Sequence, residues 1–510
     1  MKQRDTDGEL FARPSIEERR FDISIQKKIL ETKGGLDPSL NRMPDLVKTI
    51  HLMGICGTGM ASLAGMLKHQ GYRVTGSDQN IYPPMSEQLK KLEIPVFKGY
   101  SPGNLSHNPD LVVVGNVITR DNPEAMELSR IKLPYLSFPQ ALGELAFKGK
   151  QSIVISGTHG KTTTATLVAW ILETAGTDPG FMIGGISRNF ETNFKLGQGP
   201  YFVIEGDEYD TAFFDKGPKF LHYRPWVAIL TSIEFDHGDI YRDIDQVIAS
   251  FRKLIAIIPP EGLLIANGDD PRVVAEIERA QCQVETYGFS RDCLWKVLAA
   301  NNQQGLTDVK ILRQGEEYIT FQTPLYGRHN MSNLLAAVVL SEFLDLSSPS
   351  LKKALKEFKS VKRRQEIVGE ERGILVLDDF AHHPTAVRKT IQAVKEKHGD
   401  RRLIAVFEPR SNSSRRNIFQ RDYALSFNHA DIAMIPEPPL MEKIPPRERF
   451  SSQLLVRDLQ KGGVEAFYFP DTDQLLEGII ETARQGDVIL IMSNGGFDNI
   501  HKRLLNRLKT

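Results

Sequence analysis

The chain has 510 residues, which argues for about three domains of ordinary size. It is 41% hydrophobic and 25% charged, the balance of a soluble globular protein. Its 64 Lys and Arg cancel its 64 Asp and Glu, so no global basic field speaks for nucleic acid as a partner.

Three cysteines, Cys56, Cys282 and Cys293, lie far apart, which argues against a disulfide framework or a zinc site and fits a reducing compartment. The stretch Met1 to Phe21 is charged and has no apolar core of a signal peptide. No apolar run approaches the roughly 20 residues of a membrane span, so no membrane insertion is expected and the expected location is the cytoplasm.

Residues 1–46 read as a polar N-terminal extension, partly disordered, with a short alternation at Phe21–Ile25 that could be a strand. From residue 47 to 148 the pattern is that of a βαβ dinucleotide-type domain. A strand at Thr49–Met53 runs into Gly54-Ile-Cys-Gly57-Thr58-Gly59-Met60, then a helix to His69, then a strand ending at Ser77-Asp78. The glycine spacing is Gly-x-x-Gly-x-Gly, which alone is a weak sign of a phosphate-containing ligand. Asp78 stands where an acid accepts from a ribose hydroxyl, and a helix cap is the plainer reading. Leu111–Val114 is a further buried strand.

Residues 149–361 form a second α/β domain, which carries the most informative stretch: Gly157-Thr158-His159-Gly160-Lys161-Thr162-Thr163-Thr164. It follows the apolar run Ser152–Ser156 and opens a helical pattern at Ala165–Ala175. Strand, glycine turn, lysine, hydroxyl and helix in that order cradle nucleotide phosphates with backbone N–H groups and a helix N-terminus. Lys161 is placed to reach the terminal phosphates and Thr162 to hold Mg²⁺. The general pattern wants a further glycine where Ile155 stands.

Two more strands, Tyr201–Ile204 and Val227–Leu230, run into Glu205-Gly-Asp-Glu208 and Glu234-Phe-Asp-His237. Acids and a histidine at strand carboxyl ends sit where open α/β sheets bind ligands. Glu205 is the best carboxylate for a metal; Asp207 and Asp210 read equally well as solvated turn acids. His237, parallel in position to Glu205, reads as a ligand or as a structural histidine. Gly327-Arg-His-Asn330 opens a later helix.

A third unit, residues 362–510, starts near Arg363-Arg364. Its strands at Gly373–Leu377, Leu403–Phe407 and Val488–Met492 lead into Asp378-Asp379, Glu408-Pro-Arg410-Ser411-Asn412 and Ser493-Asn494-Gly-Gly-Phe497. His382 and His383 would face opposite ways on an extended chain, which argues against a metal site made of that pair. No Gly-x-Ser-x-Gly elbow and no Cys/His pair suggests a covalent nucleophile, so an ATP-driven transfer or ligation is preferred.

Taken together, these motifs resemble the Mur ligase family over about residues 48 to 510: Gly54–Met60, Gly157–Thr163, Glu205–Glu208, Asp236-His237, Gly327–Asn330, Arg363-Arg364 and Asp379-Phe-Ala-His-His-Pro384 recur in family order. The resemblance implies three α/β domains: a Rossmann-like N-terminal domain, a central P-loop ATPase-like domain and a C-terminal Rossmann-like domain. The absent glycine at Ile155 then looks like a family trait.

Two members of the family share the N-terminal glycine motif and the Ala-His-His-Pro segment. One adds L-alanine to UDP-N-acetylmuramate; the other attaches the recycled murein tripeptide L-Ala-γ-D-Glu-meso-diaminopimelate to the same acceptor. The chain resembles the second in Ser77–Met85, Glu208–Lys216, Glu234–His237, Glu408–Asn412 and Met492–Phe497, and has Asp207-Glu-Tyr-Asp210 where the alanine-adding member has Asp-Glu-Ser-Asp. The alternatives are that L-alanine ligase and, from another class, a non-catalytic nucleotide-binding scaffold.

The resemblance implies ATP and Mg²⁺ as cofactors and an acyl phosphate on the lactyl carboxylate as intermediate. Lys161, Glu205 and His237 would be catalytic, with Thr162, Glu205 and His237 arranging the metal. ATP would meet Gly157 to Thr163, Asn330, Arg363, Arg364 and Asp379. The UDP group would meet Gly54, Gly57, Thr58, Gly59, Met60 and Asp78, and the peptide Arg410, Ser411, Asn412 and Asn494. A monomer or homodimer is expected. Four features depart from the family: Gly206 for alanine, read as added backbone freedom, Ser232 for asparagine, Gly217-Pro218 for a basic-polar pair, and the N-terminal extension.

Overall fold

In this computed structural model residues 35–509 are described, except Pro84, Asp239 and Gln304. The strand expected at Phe21–Ile25, and the extension up to residue 34, lie outside the described residues. The chain forms two compact units, the first of residues 35–64, 68–138 and 212–216, the second of residues 65–67, 139–211 and 217–509.

The first unit holds a five-stranded parallel sheet. Its central strand, Thr49–Met53, lies between Arg73–Asp78 and Leu111–Val114. Leu111 to Val114 are buried throughout, as a parallel strand covered on both faces requires. The glycine loop leaves the carboxyl end of the central strand and leads into the helix Thr58–His69, as the spacing predicted.

The second unit is built on two sheets. A ten-stranded sheet centres on Gln151–Ser156, flanked by Tyr201–Gly206 and Pro225–Leu230. Its far end is an antiparallel meander, Trp295–Gln303, Leu306–Arg313 and Glu316–Thr323, which extends the sheet beyond its parallel core. The helices Lys161–Thr174 and Arg328–Phe343 pack into one core with this sheet. The helix Arg328–Phe343 is buried almost without a break from Asn330 to Ser341, which makes it a core element and not an amphipathic surface helix. Leu335 is fully buried there, so Leu335→Ala is expected to lower stability by about 2–5 kcal/mol, read as a lower denaturant midpoint.

The last sheet has six strands, one antiparallel edge strand and five parallel ones. Separate hydrophobic clusters cover its two faces, so it is doubly wound. The three-domain α/β architecture expected from the sequence is thus present as three large sheets, besides a two-stranded ribbon of Asp210–Ala212 and Asp215–Pro218.

Some boundaries move in informative ways. The phosphate-loop helix starts at Lys161, four residues before the apolar pattern begins. The strand Tyr201–Gly206 carries Glu205 within it, and Ile374–Asp379 carries both aspartates. Gly206 is also explained differently than backbone freedom suggests. A Cβ there would sit 2.5 Å from Val154 Cγ1, so the missing methyl makes room for the neighbouring strand.

Candidate active site

The phosphate loop takes its shape from two left-handed glycines, Gly157 at φ 121° and Gly160 at φ 82°. A side chain at either position would also collide, at Gly157 with Thr231 and at Gly160 with the Asn333 carboxamide. Thr231 Oγ1 donates to Ser156 O at 3.1 Å, and His159 N donates to Ser232 Oγ at 3.1 Å. Ser232, which departs from the family's asparagine, is therefore a buried brace of the loop.

Around the loop the structure makes two polar groups. In one, Thr162 Oγ1 donates to Glu205 Oε2 at 2.9 Å, and Gly184 N donates to Glu205 Oε1 at 2.6 Å. Burial, then the neighbouring Asp207, raises the Glu205 pKa. In the other, Lys161 Nζ donates to Gly157 O at 2.6 Å and to Glu208 Oε2 at 3.3 Å. His237 Nε2 stands 3.7 Å from Glu208 Oε1, its ring packed on Tyr209. Burial works against the charge on Lys161, but Glu208, then Asp207 and Glu205, outweigh it and hold its pKa above the usual lysine value.

Glu208 is 2% exposed and joins Lys161 to His237. It stands in a quoted motif, yet the sequence reading gave it no role. The signal was its place two residues past the end of a buried strand. Asp207, open between metal ligand and turn acid, pairs with Lys219 at 2.9 Å. Burial opposes its ionisation, but Lys219, with Lys161 behind it, holds its pKa down to about 2.

A cavity of about 550 Å³ lies in the same unit, lined by Ser232, Asn267, Arg272, Phe289, Arg328 and His329 among others. Arg328 stacks over the Phe289 ring at 3.8 Å. Asn330 is buried, its Nδ2 donating to Tyr326 O at 2.9 Å and to Gln365 Oε1 at 3.1 Å. Arg363 sits at φ 62°, with Nε 3.1 Å from Asp378 Oδ2 and Nη2 2.6 Å from Ser493 O. Arg364 lies 4.9 Å over Phe380. Asp379 accepts from Gln365 N at 2.8 Å and Ala381 N at 2.7 Å, which fixes the segment between these motifs.

In the last sheet, Glu408 and Ser493 end neighbouring parallel strands. Ser493 Oγ donates to Glu408 Oε2 at 2.5 Å, and Arg410 Nη1 to Glu408 Oε1 at 3.2 Å. Gly495 lies against the Arg410 stem, and the buried Asn494 Oδ1 has no hydrogen-bond partner among the described residues. Ser411 Oγ is 2.9 Å from Ser414 Oγ, and Asn412 Oδ1 accepts from Arg415 Nη2 at 2.7 Å. Arg410 and Asn494 thus share one strand-end cluster, while Ser411 and Asn412 brace the adjoining turn.

In the first unit, Gly54 is left-handed at φ 81°, and its N–H donates to Ser77 O at 2.8 Å. Gly59 has Phe138 where a side chain would point. Gly57 O accepts from Ala61 N at 2.8 Å, so Thr58 and Met60 open the helix. Asp78 is buried; Cys56 N donates to its Oδ2 at 2.9 Å and Asn80 N to its Oδ1 at 3.0 Å. One carboxylate oxygen thus braces the glycine loop and the other closes the turn that follows Asp78, so the side chain fixes two loops and caps no helix.

A strand–phosphate-loop–helix unit that follows one Rossmann-like sheet and precedes another along the chain defines a nucleotide-handling α/β ligase. The family description "Mur ligase middle domain" matches residues 155–341, "Mur ligase family, catalytic domain" residues 49–149, and "Mur ligase, glutamate ligase domain" residues 363–495. The chain belongs to the Mur ligase family. It is 39% identical over 460 residues to the UDP-N-acetylmuramate–L-alanyl-γ-D-glutamyl-meso-2,6-diaminoheptanedioate ligase of Escherichia coli, covering 90% of this chain and 98% of that one. It is 32% identical over 470 residues to the UDP-N-acetylmuramate–L-alanine ligase of Syntrophomonas wolfei, covering 90% and 97%. Among solved structures it resembles a murein peptide ligase from Psychrobacter arcticus, with a TM-score of 0.68, 35% identity, and coverage of 91% of this chain and 99% of the other.

Proposed function

We propose that this chain joins a murein tripeptide, L-Ala-γ-D-Glu-meso-diaminopimelate, to UDP-N-acetylmuramate at the expense of ATP, in the recycling of cell-wall peptide. The observation that carries this reading is the 39% identity along nearly the whole chain to a ligase of that name, against 32% to the L-alanine ligase. It agrees with the peptide-ligase-like motifs at Glu208–Lys216 and Glu408–Asn412.

The donor chemistry around the phosphate loop fits Mg·ATP. Two glycines leave the backbone open to an anion, and a hydroxyl and a carboxylate, Thr162 and Glu205, offer hard oxygen ligands 2.9 Å apart. Mg²⁺ held there, with His237 as the third expected ligand, would neutralise charge on the phosphates. Lys161 would stabilise the phosphoryl group as it passes to the lactyl carboxylate. The acyl phosphate so formed is attacked by the tripeptide amine, and phosphate leaves. The adenosine end is assigned to the cavity beside Ser232 and Phe289, and Asn330, Arg363, Arg364 and Asp379 are the further residues expected to meet ATP. The glycine loop Gly54–Met60 takes the UDP diphosphate, with Asp78 setting the loop's shape. Arg410, Ser411, Asn412 and Asn494 receive the peptide.

No helix among the described residues is long and apolar enough to cross a membrane, which suits a cytoplasmic enzyme acting on small soluble substrates as a monomer or homodimer. Incubation with UDP-N-acetylmuramate, Mg·ATP and either amine tests the reading: product is expected with the tripeptide, and product with free L-alanine alone overturns it.

A further inference from the structure

The sequence reading set aside a metal site made of His382 and His383, and the two rings do face different partners. His382 Nδ1 meets Phe380 O at 3.0 Å, and His383 Nε2 meets Phe235 O at 3.2 Å. A different trio comes together instead. His159 from the phosphate loop, Glu234 from the strand-end segment and His383 from the cap of helix Pro384–His398 bring donor atoms within 4.8 Å of one another. His159 Nε2 lies 3.3 Å and His383 Nδ1 3.8 Å from the same oxygen, Glu234 Oε2.

We propose that His159, Glu234 and His383 form a binding site for a borderline dication of the Zn²⁺ type, distinct from the Mg²⁺ ligands Thr162, Glu205 and His237. Four observations carry it. First, tetrahedral Zn²⁺ with bonds of about 2.0–2.1 Å needs ligand atoms roughly 3.3 Å apart, and the two imidazole nitrogens stand 3.3 and 3.8 Å from Glu234 Oε2 with all three donors inside 4.8 Å. Second, His383 is already oriented for ligation. Nε2 donates to the Phe235 carbonyl, the outer-shell arrangement usual for metal-bound histidine, and Nδ1 is the acceptor, which caps the helix by accepting from Thr385 N at 3.3 Å and would exchange that bond for the metal. Third, Thr385 Oγ1 donates to Glu234 Oε2 at 2.6 Å and holds the carboxylate in place. Fourth, the buried His159 Nε2 has no hydrogen-bond partner among the described residues, for it meets Glu234 at contact distance without hydrogen-bond geometry.

Two imidazoles and one carboxylate select Zn²⁺ over Mg²⁺, which prefers oxygen alone. Lys389 is the nearby charge that opposes a cation. An ion here would tie the phosphate loop to the helix that follows His383.

The test uses the nucleotide-free full-length chain, with Co²⁺ as spectroscopic probe and Zn²⁺ as competitor. One Co²⁺ per chain with the strong visible absorption of a tetrahedral site is expected, and Zn²⁺ should displace it. Affinity should fall at least about 10-fold in both Glu234→Gln and His159→Gln, and be unchanged in Glu205→Gln and His237→Asn. Either of the first two variants suffices if the other does not fold. Absence of such a spectrum, or a loss that follows Glu205→Gln or His237→Asn instead, overturns the proposal. Because the readout is binding without ATP or acceptor, it fails or succeeds independently of the ligase reading.

Discussion

Lys161→Ala is expected to lower turnover by roughly 10²–10³-fold or more, the usual effect of removing a donor that stabilises charge developing in a transition state. The argument rests on position and charge together. Lys161 is the first residue of the phosphate-loop helix, and its ammonium group is held at 2.6 Å by the Gly157 carbonyl and at 3.3 Å by Glu208. Three carboxylates keep it charged despite burial, so a cation is fixed beside the loop before any nucleotide arrives. Alanine removes that charge and leaves the glycine turns intact. Steady-state phosphate release in the presence of both substrates measures the effect. Near-normal turnover would remove Lys161 from the chemistry.

Glu208→Ala is expected to damage both stability and turnover. Glu208 is 2% exposed and is the shared partner of Lys161 and His237. Breaking a buried ion pair by deleting one partner leaves the other charge without compensation, at a cost of about 3–5 kcal/mol. Lys161 keeps its bond to the Gly157 carbonyl, which places the expected loss near the lower end of that range. The Tyr241 hydroxyl, which donates to the backbone carbonyl of Glu208, remains to hold the main chain. A denaturant midpoint that implies a loss below about 1 kcal/mol, the scale of an exposed pair, would mean that water screens this contact. Activity should fall with stability, because the variant releases both Lys161 and His237 from their fixed positions.

The parts of this molecule legible in the sequence are those where one local rule decides the outcome. Short buried strands such as Leu111–Val114 and Val488–Met492 are apolar without interruption, because both faces of a parallel sheet are covered. The turn at Gly157–Gly160 needs left-handed residues, and the glycines announce it. The antiparallel meander of residues 295–323 was not read, since its buried and exposed positions alternate only part of the way and two register shifts interrupt it.

The same distinction holds in the site. Thr162, in the first turn of the phosphate-loop helix, and Glu205, near the end of the neighbouring strand, are singled out by the motif order, and they meet. Glu208 and Glu234 were passed over as single residues because their importance lies in partners 29 to 151 positions away, His237 in one case and His159, His383 and Thr385 in the other. Asp78 shows the reverse: a residue type and place that suit a ribose, with one oxygen engaged by the glycine-loop backbone at Cys56 and the other by the backbone of its own turn at Asn80. Spacing reports which groups stand at a strand end, but only packing reports what they face.

The central claim, that this chain activates the lactyl carboxylate of UDP-N-acetylmuramate and delivers it to a peptide amine, is tested most directly by an isotope. UDP-N-acetylmuramate labelled with heavy oxygen in both carboxylate positions is incubated with Mg·ATP and the tripeptide, and the products are weighed by mass spectrometry. The account predicts a UDP-N-acetylmuramoyl-tripeptide that keeps one heavy oxygen and released phosphate that carries the other. Unlabelled phosphate, or a conjugate that forms only when L-alanine replaces the tripeptide, would contradict it.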